Sequence, residues 1–320
     1  MNNNEFLKVC KRNEGEKYSS RKYEIFKGIK VFYNDIHTDK IIHNFHCESN
    51  SKSYEINHCR EGKFECVLKD GTITYMNAGD FSINPLENCP SQSNFPIRHY
   101  HGVTVYITPS ELGEEAECLQ ELFNINYNNI LNKLCEGDRL FIKRATPKIQ
   151  HIFCEIYNVP ENIVIPYLKV KIQELFLYLS TIDPKNEVID REYFTKSNVN
   201  IVKKLHSFII ENSEKHYTYE ELSFMFSINQ TTMKRCYKST YGETIYTTFM
   251  KTRLDKSSKL LKTSSFTITE IALLVGYSSN SKYSTAFKKM YNITPMEYRK
   301  VHAWFGNNGH IGKDKKVRAC

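Results

Sequence analysis

The sequence has no apolar run approaching the roughly 18 residues that a helix needs to cross a bilayer, which argues against a membrane protein of helical type. Its first residues, MNNNEFLKVCKRNEGEK, hold no apolar core of the kind a secretory signal requires, so the expectation is a cytoplasmic protein. Ten cysteines are present but no Cys-x-x-Cys. Scattered thiols without a secretion signal read as reduced side chains packed as small hydrophobes, and they exclude neither fold class nor function. The same spacing argues against a structural zinc site built on cysteines.

What is present is globular in character: 40% hydrophobic and 25% charged residues over 320 positions, enough for two domains with separate cores. The net charge of +8 is unevenly placed. Residues 198–320 carry 20 Lys+Arg against 9 Asp+Glu, a net of +11, whereas residues 1–197 carry 24 against 27, a net of −3. A basic third attached to a slightly acidic body suggests a polyanion-binding module beside a separate partner domain, although a solvated basic face would give the same arithmetic.

Residues 21–109 read as short strands. Tyr23–Phe26, Ile29–Tyr33, Phe64–Leu68, Thr72–Met76, Phe81–Pro85 and Val103–Ile107 are rich in β-branched and aromatic side chains. Lys69-Asp70-Gly71 between two of them predicts a hairpin with a type I′ turn. From Ser110 to Thr181 the period shifts to that of helices. Leu112, Ala116, Leu119 and Phe123 form one stripe, Ile149, Ile152, Phe153 and Ile156 a second, and Leu168, Ile172, Leu175, Phe176 and Leu179 a third. The third stripe is either core packing or a dimer helix.

The basic third repeats itself. Thr218-Tyr-Glu-Glu221-Leu222 matches Thr267-Ile-Thr-Glu270-Ile271 at an offset of 49, and Tyr241-Gly-Glu-Thr244 matches Tyr291-Asn-Ile-Thr294 at an offset of 50. One extra residue therefore falls in the second inter-helix turn. Each copy opens on a threonine three residues before a glutamate, the capping box of a helix start. A short helix follows, with Leu222, Met225 and Phe226 or Ile271, Leu274 and Val275 as its apolar side. The second helix would bury Met233 and Tyr237, or Tyr283 and Phe287, and turn Lys234, Arg235 and Lys238, or Lys282, Thr285 and Lys288, outward. That is the helix-turn-helix plan for a major groove, and Ile245–Lys262 reads as the helix connecting the copies.

Residues 198–300 resemble the DNA-binding domain of AraC/XylS-type transcription regulators. The resemblance rests on Ile268, Ile271-Ala272, Gly276-Tyr277, Ser281, Tyr283, Phe287-Lys288-Lys289, Thr294-Pro295, Tyr298-Arg299 and the segment Arg253–Leu261. Tyr167–Leu175 resembles the corresponding segment of pyochelin-regulator-like members, and the β-region with Gly79-Asp80-Phe81 resembles the cupin-like sensor domain common in that family. Ser227 and Asn292 stand where the family usually has glycine, and Thr285 where it often has arginine.

The resemblance implies an α+β chain. Residues 1–180 would form a cupin-like β-barrel or sandwich with trailing helices, 181–197 a linker, 198–300 an all-α domain of two helix-turn-helix units joined by a long helix, and 301–320 a flexible tail. It implies double-stranded DNA as partner and a small-molecule effector of unknown identity, with RNA polymerase and a second copy of the chain as further partners. The first recognition helix would present Gln230, Thr231, Lys234, Arg235 and Lys238, and the second Asn280, Ser281, Lys282, Ser284, Thr285 and Lys288. Arg235 is the residue whose fork matches guanine, whereas Lys238, Lys288 and Lys289 are placed for phosphate. Any one of them could equally be capping or solvated.

Histidines raise a second reading. His43, His46 and Cys47 lie close together, and His99-Tyr100-His101 puts two imidazoles on one strand face. A metal-dependent cupin enzyme with an accessory DNA domain would hold an ion on such a set. No glutamate follows His101 at cupin spacing, so the expectation is neither catalytic residues nor a metal or other cofactor. A non-specific nucleic-acid binder is the third reading.

Overall fold

A computed structural model describes residues 18–42, 51–68, 70–86, 92–184 and 191–306. The chain divides into two compact units, Met1–Lys196 and Ser197–Cys320.

The first unit opens with β1 (Tyr18–Phe26), β2 (Ile29–Ile36), β3 (Lys40–Ile42), β4 (Tyr54–Val67), β5 (Thr72–Asn77), β6 (Asp80–Pro85), β7 (Gln92–Asn94) and β8 (Tyr100–Ile107). All pairings are antiparallel, and the main path runs β1-β2-β8-β4-β5. The 14-residue β4 joins two sheets: its first half pairs with β6 and β8, its second half with β5. The register shifts between Cys59 and Glu61, and Gly62 beside it has φ +87°. A side chain there would collide with the His99 carbonyl, so the bend depends on glycine.

Helices then cover one face. They are α1 (Glu114–Leu122), α2 (Tyr127–Leu134), α3 (Pro147–Tyr157) and α4 (Val164–Ser180), with β9 (Phe141–Arg144) returning to pair with β6. Leu168, Ile172, Leu175, Phe176 and Leu179 of α4 are buried in one cluster with Val31, Ile56, Ile83 and Val105 of the sheet. The third stripe is therefore core of its own unit, and Phe123, expected on the first stripe, is 42% exposed just past the end of α1. The hairpin at Asp70-Gly71 forms with a longer loop than expected. Leu68 N–H donates to Thr72 O and Gly71 N–H to Leu68 O, so the closing hydrogen bond spans Leu68 to Gly71 and Asp70-Gly71 is not the central pair that a type I′ turn requires.

Of the anticipated linker, Phe194-Thr195 form β10, which pairs with β5, and Arg191 reaches the Tyr75 carbonyl and the Asp80 carboxylate. These residues belong to the first unit because the sheet edge offers them backbone partners. Residues 185–190 lie outside the described residues.

The second unit is all helical: α5 (Lys196–Glu211), α6 (Tyr219–Met225), α7 (Gln230–Tyr241), α8 (Ile245–Thr263), α9 (Ile268–Leu274), α10 (Asn280–Tyr291) and α11 (Pro295–Gly306). The last helix runs six residues into the stretch expected as tail. It starts on Thr294, whose Oγ1 accepts from Glu297 N–H while Glu297 returns a carboxylate oxygen to Thr294 N–H at 2.8 Å. No helix among the described residues is long and apolar enough to cross a membrane.

Candidate nucleic-acid interface

Both expected capping boxes form. Thr218 Oγ1 accepts from Glu221 N–H and Thr267 Oγ1 from Glu270 N–H, each at 3.2 Å, and each glutamate answers its threonine N–H at 2.7 Å. Those bonds hold the Glu221 and Glu270 carboxyls below the usual carboxylate range, the Thr218 and Thr267 backbone N–H groups being the main cause.

The turns that follow span Phe226–Asn229 and Val275–Ser279, one residue longer in the second copy. Ser227 and Gly276, which correspond at the offset of 49, are both left-handed, with φ +49° and +87°. Gly242 and Asn292 correspond at the offset of 50 and end α7 and α10 in the same conformation, φ +77° and +63°. The backbone repeats even where the residue type does not, because asparagine and glycine both tolerate this region.

The first helices differ from expectation at one position each. Leu222 and Ile271 are buried, but Met225 is 49% and Leu274 52% exposed. A two-turn helix buries one i, i+4 row, here Leu222 with the half-buried Phe226 and Ile271 with Val275. Met225 and Leu274 stand about 100° round from that row.

The second helices are divided as the repeat predicts. Met233, Cys236 and Tyr237 of α7 and Tyr283 and Phe287 of α10 are buried. Thr231, Lys234, Arg235 and Lys238 are exposed, as are Asn280, Ser281, Lys282, Thr285, Lys288 and Lys289, while Gln230 and Ser284 are half-buried. On α7 the spacing 231, 234, 235, 238 is i, i+3, i+4, i+7, so these four share one face. Asn229 caps α7 by accepting from Thr231 and Thr232 N–H, which leaves the Thr231 hydroxyl clear of the capping role weighed for it.

Three side chains carry contacts invisible in the linear pattern. Lys234 Nζ sits 4.1 Å from the centre of the Tyr219 ring, so its charge is held against α6. Ser284 donates to Asn280 Oδ1 at 3.0 Å, which ties two expected α10 readers to each other. Arg253 on α8 is buried and donates to three carbonyls: Ser213 O at 2.5 Å, Lys215 O at 3.0 Å and Gly276 O at 3.0 Å. It cross-links the end of the α5 segment to the second inter-helix turn. Its place on an otherwise solvated-looking helix gives no sign of this, since only the fold brings those carbonyls together.

The connecting helix α8 packs on α7 and on α9, α10 and α11. Leu254 and Leu261 of α8 join Ile271, Val275, Tyr283, Phe287 and Tyr298 in one cluster, and Tyr237 of α7 donates to Thr248 of α8 at 2.9 Å. Helices α7 and α10 therefore both pack on the one helix α8. Chemically, this offers two polar, basic helix faces, each able to donate hydrogen bonds to base edges and to neutralise phosphates.

Comparison with known proteins agrees with this geometry. A family profile described as "Helix-turn-helix domain" matches residues 222–301. The chain is 28% identical over 123 residues to the xylose operon regulatory protein of Escherichia coli, a match covering 38% of this chain and 31% of that protein. It is 36% identical over 88 residues to the transcriptional activator RhaS of Mannheimia succiniciproducens, covering 28% and 33% respectively. The chain thus spans about a third of the length of the curated relatives it matches. Among solved structures it is similar to the C-terminal domain of AraT, a response regulator from Geobacillus stearothermophilus, at 29% identity and a TM-score of 0.31, over 32% of this chain and 84% of that one. Residues 222–301 of this chain are thus a helix-turn-helix domain similar to those of named bacterial transcription regulators.

Proposed function

We propose that the chain is a sequence-specific DNA-binding transcription regulator whose two helix-turn-helix units read successive major-groove segments. The observation that carries this is the duplicated unit itself: α7 and α10 each bury an apolar row and expose a polar, basic one, and both are braced by α8. Arg235 is assigned to base edges, with Gln230 and Thr231 beside it, and Lys238, Lys288 and Lys289 to phosphates. Lys234, drawn against Tyr219, is assigned to positioning. On α10, Asn280, Ser281, Lys282, Ser284 and Thr285 form the weaker reader, because none offers the bidentate fork of arginine.

Under the same proposal the first unit receives a small-molecule signal and passes it on by favouring one arrangement of the two units over another. The matched relatives are named transcription regulators, which gives the metal-dependent cupin enzyme no support. Selection of duplexes from a random pool by the full chain tests the reading. Enrichment of a motif with two elements about 10 bp apart supports it. Recovery of unrelated duplexes in proportion to the input contradicts it.

A further inference from the structure

We infer that the first unit binds one divalent transition-metal ion of the zinc class through His37, His99 and His101. One ligand nitrogen from each lies within 4.8 Å of the others. The grouping is a product of sheet register. His101 on β8 stands opposite Asp35 on β2 and opposite Glu61 on β4, so three chemistry-bearing residues form a row across adjacent strands. His37 lies two residues beyond Asp35 and His99 two residues before His101, so each continues the same face just past the end of its strand.

The distances suit a single ion. His37 Nε2 and His101 Nε2 are 3.5 Å apart, and Asp35 Oδ1 lies 2.8 Å from the first and 2.7 Å from the second. Ligand atoms around a tetrahedral zinc are about 3.3 Å apart, given bonds of about 2.0–2.1 Å. Asp35, within hydrogen-bond distance of two of the imidazoles, is placed to orient them. Glu61, 3.5 Å from His99 and 3.7 Å from His101, is also paired with Arg60 and fits an outer role orienting an imidazole. Three imidazoles favour zinc, nickel or copper over calcium or magnesium.

The site also has access. The three histidine side chains are 32–41% exposed, at the end of the face that Val103 and Val105 continue as buried core. It owes nothing to the DNA-binding reading and stands if that reading fails. His43, His46 and Cys47, weighed beside His99 and His101 in the sequence, lie outside the described residues.

Titration of the untagged full chain with Zn2+, and with Co2+ followed by visible absorption, tests the inference. The expected result is one ion per chain with the strong d–d bands of four-coordinate cobalt. The bands should be lost in a His37→Ala/His101→Ala double variant and retained in His151→Ala, whose histidine lies elsewhere on the exposed surface and pairs with Glu155. His37→Ala alone, which lies outside any strand, should weaken binding more than about tenfold with an unchanged circular dichroism spectrum. Absence of a one-to-one complex in the wild type, or equal affinity in the folded His37→Ala variant, overturns it.

Discussion

Ser227 occupies in the first helix-turn-helix copy the left-handed position that Gly276 occupies in the second, at φ +49° against +87°. The turn geometry is therefore imposed by the packing of the two helices, since serine reaches this region only at a cost of roughly 1–2 kcal/mol. Ser227→Gly is expected to stabilise the second unit by about 0.5–1 kcal/mol, once the greater freedom of glycine in the unfolded chain is deducted. Gly276→Ala is expected to do the reverse and more, because its Cβ would lie 2.2 Å from the Glu214 carbonyl oxygen. Denaturant midpoints of the two variants, measured at constant m, check both signs.

The Arg253 bridge predicts that a charge-retaining change is not conservative. Arg253→Lys keeps one donor group where three carbonyls are served, and Arg253→Met keeps none. The expected loss is about 2–3 kcal/mol for methionine, with lysine intermediate, since buried acceptors left unmade carry their desolvation penalty. Equal stability of the methionine variant and wild type in chemical denaturation would deny Arg253 its bridging role.

His58 gives the first unit a defined acid sensitivity. It is fully buried, stacked on Phe153 with ring centres 4.2 Å apart, and its nitrogens face Tyr157 Oη and Gln150 Oε1. Burial lowers its pKa to about 4, against which the Gln150 hydrogen bond acts weakly. The unfolded chain then takes up the proton first, so the neutral folded form is at no disadvantage above pH 6.5 and loses stability as pH falls from 6.5 towards 4. The loss reaches about 3 kcal/mol, because each tenfold difference in proton affinity between the folded and unfolded chain is worth about 1.4 kcal/mol. His58→Phe is expected to flatten the stability profile across that window. A slope unchanged by the substitution would assign the acid sensitivity to other groups.

Two substitutions separate base reading from phosphate contact. Arg235→Ala should cost about 1–3 kcal/mol on the preferred duplex and relax discrimination at one base position. Lys288→Ala should weaken all duplexes alike and flatten the dependence of log affinity on log salt by about one unit. Discrimination unaffected by the first change, or a sequence-dependent effect of the second, would exchange or cancel these roles. Filter-binding titrations at several salt concentrations read out both.

Local signals are legible in the sequence and long-range ones are not. The capping boxes at Thr218 and Thr267, the extra residue in the second turn and the buried pairs Met233/Tyr237 and Tyr283/Phe287 depend on spacing within one helix or turn, and the structure has each of them. Met225 and Leu274 depart from the pattern because a count of apolar residues ignores how narrow a row a two-turn helix buries. Tyr219 under Lys234 and the three carbonyls around Arg253 depend on packing between elements. The histidine group shows the boundary most clearly. Asp35-x-His37 and His99-x-His101 are two period-2 pairs plain in the sequence, but only the β2–β8 register places them side by side.

Discrimination between DNA sequences by the duplicated unit is the property on which the proposed function stands or falls. Equilibrium competition at fixed salt, between the duplex recovered by selection and a scrambled duplex of equal length and composition, measures this directly. An affinity ratio of about 10³ or more is predicted for the full chain. A ratio near one would contradict sequence-specific recognition and leave a basic domain that binds the DNA backbone alone.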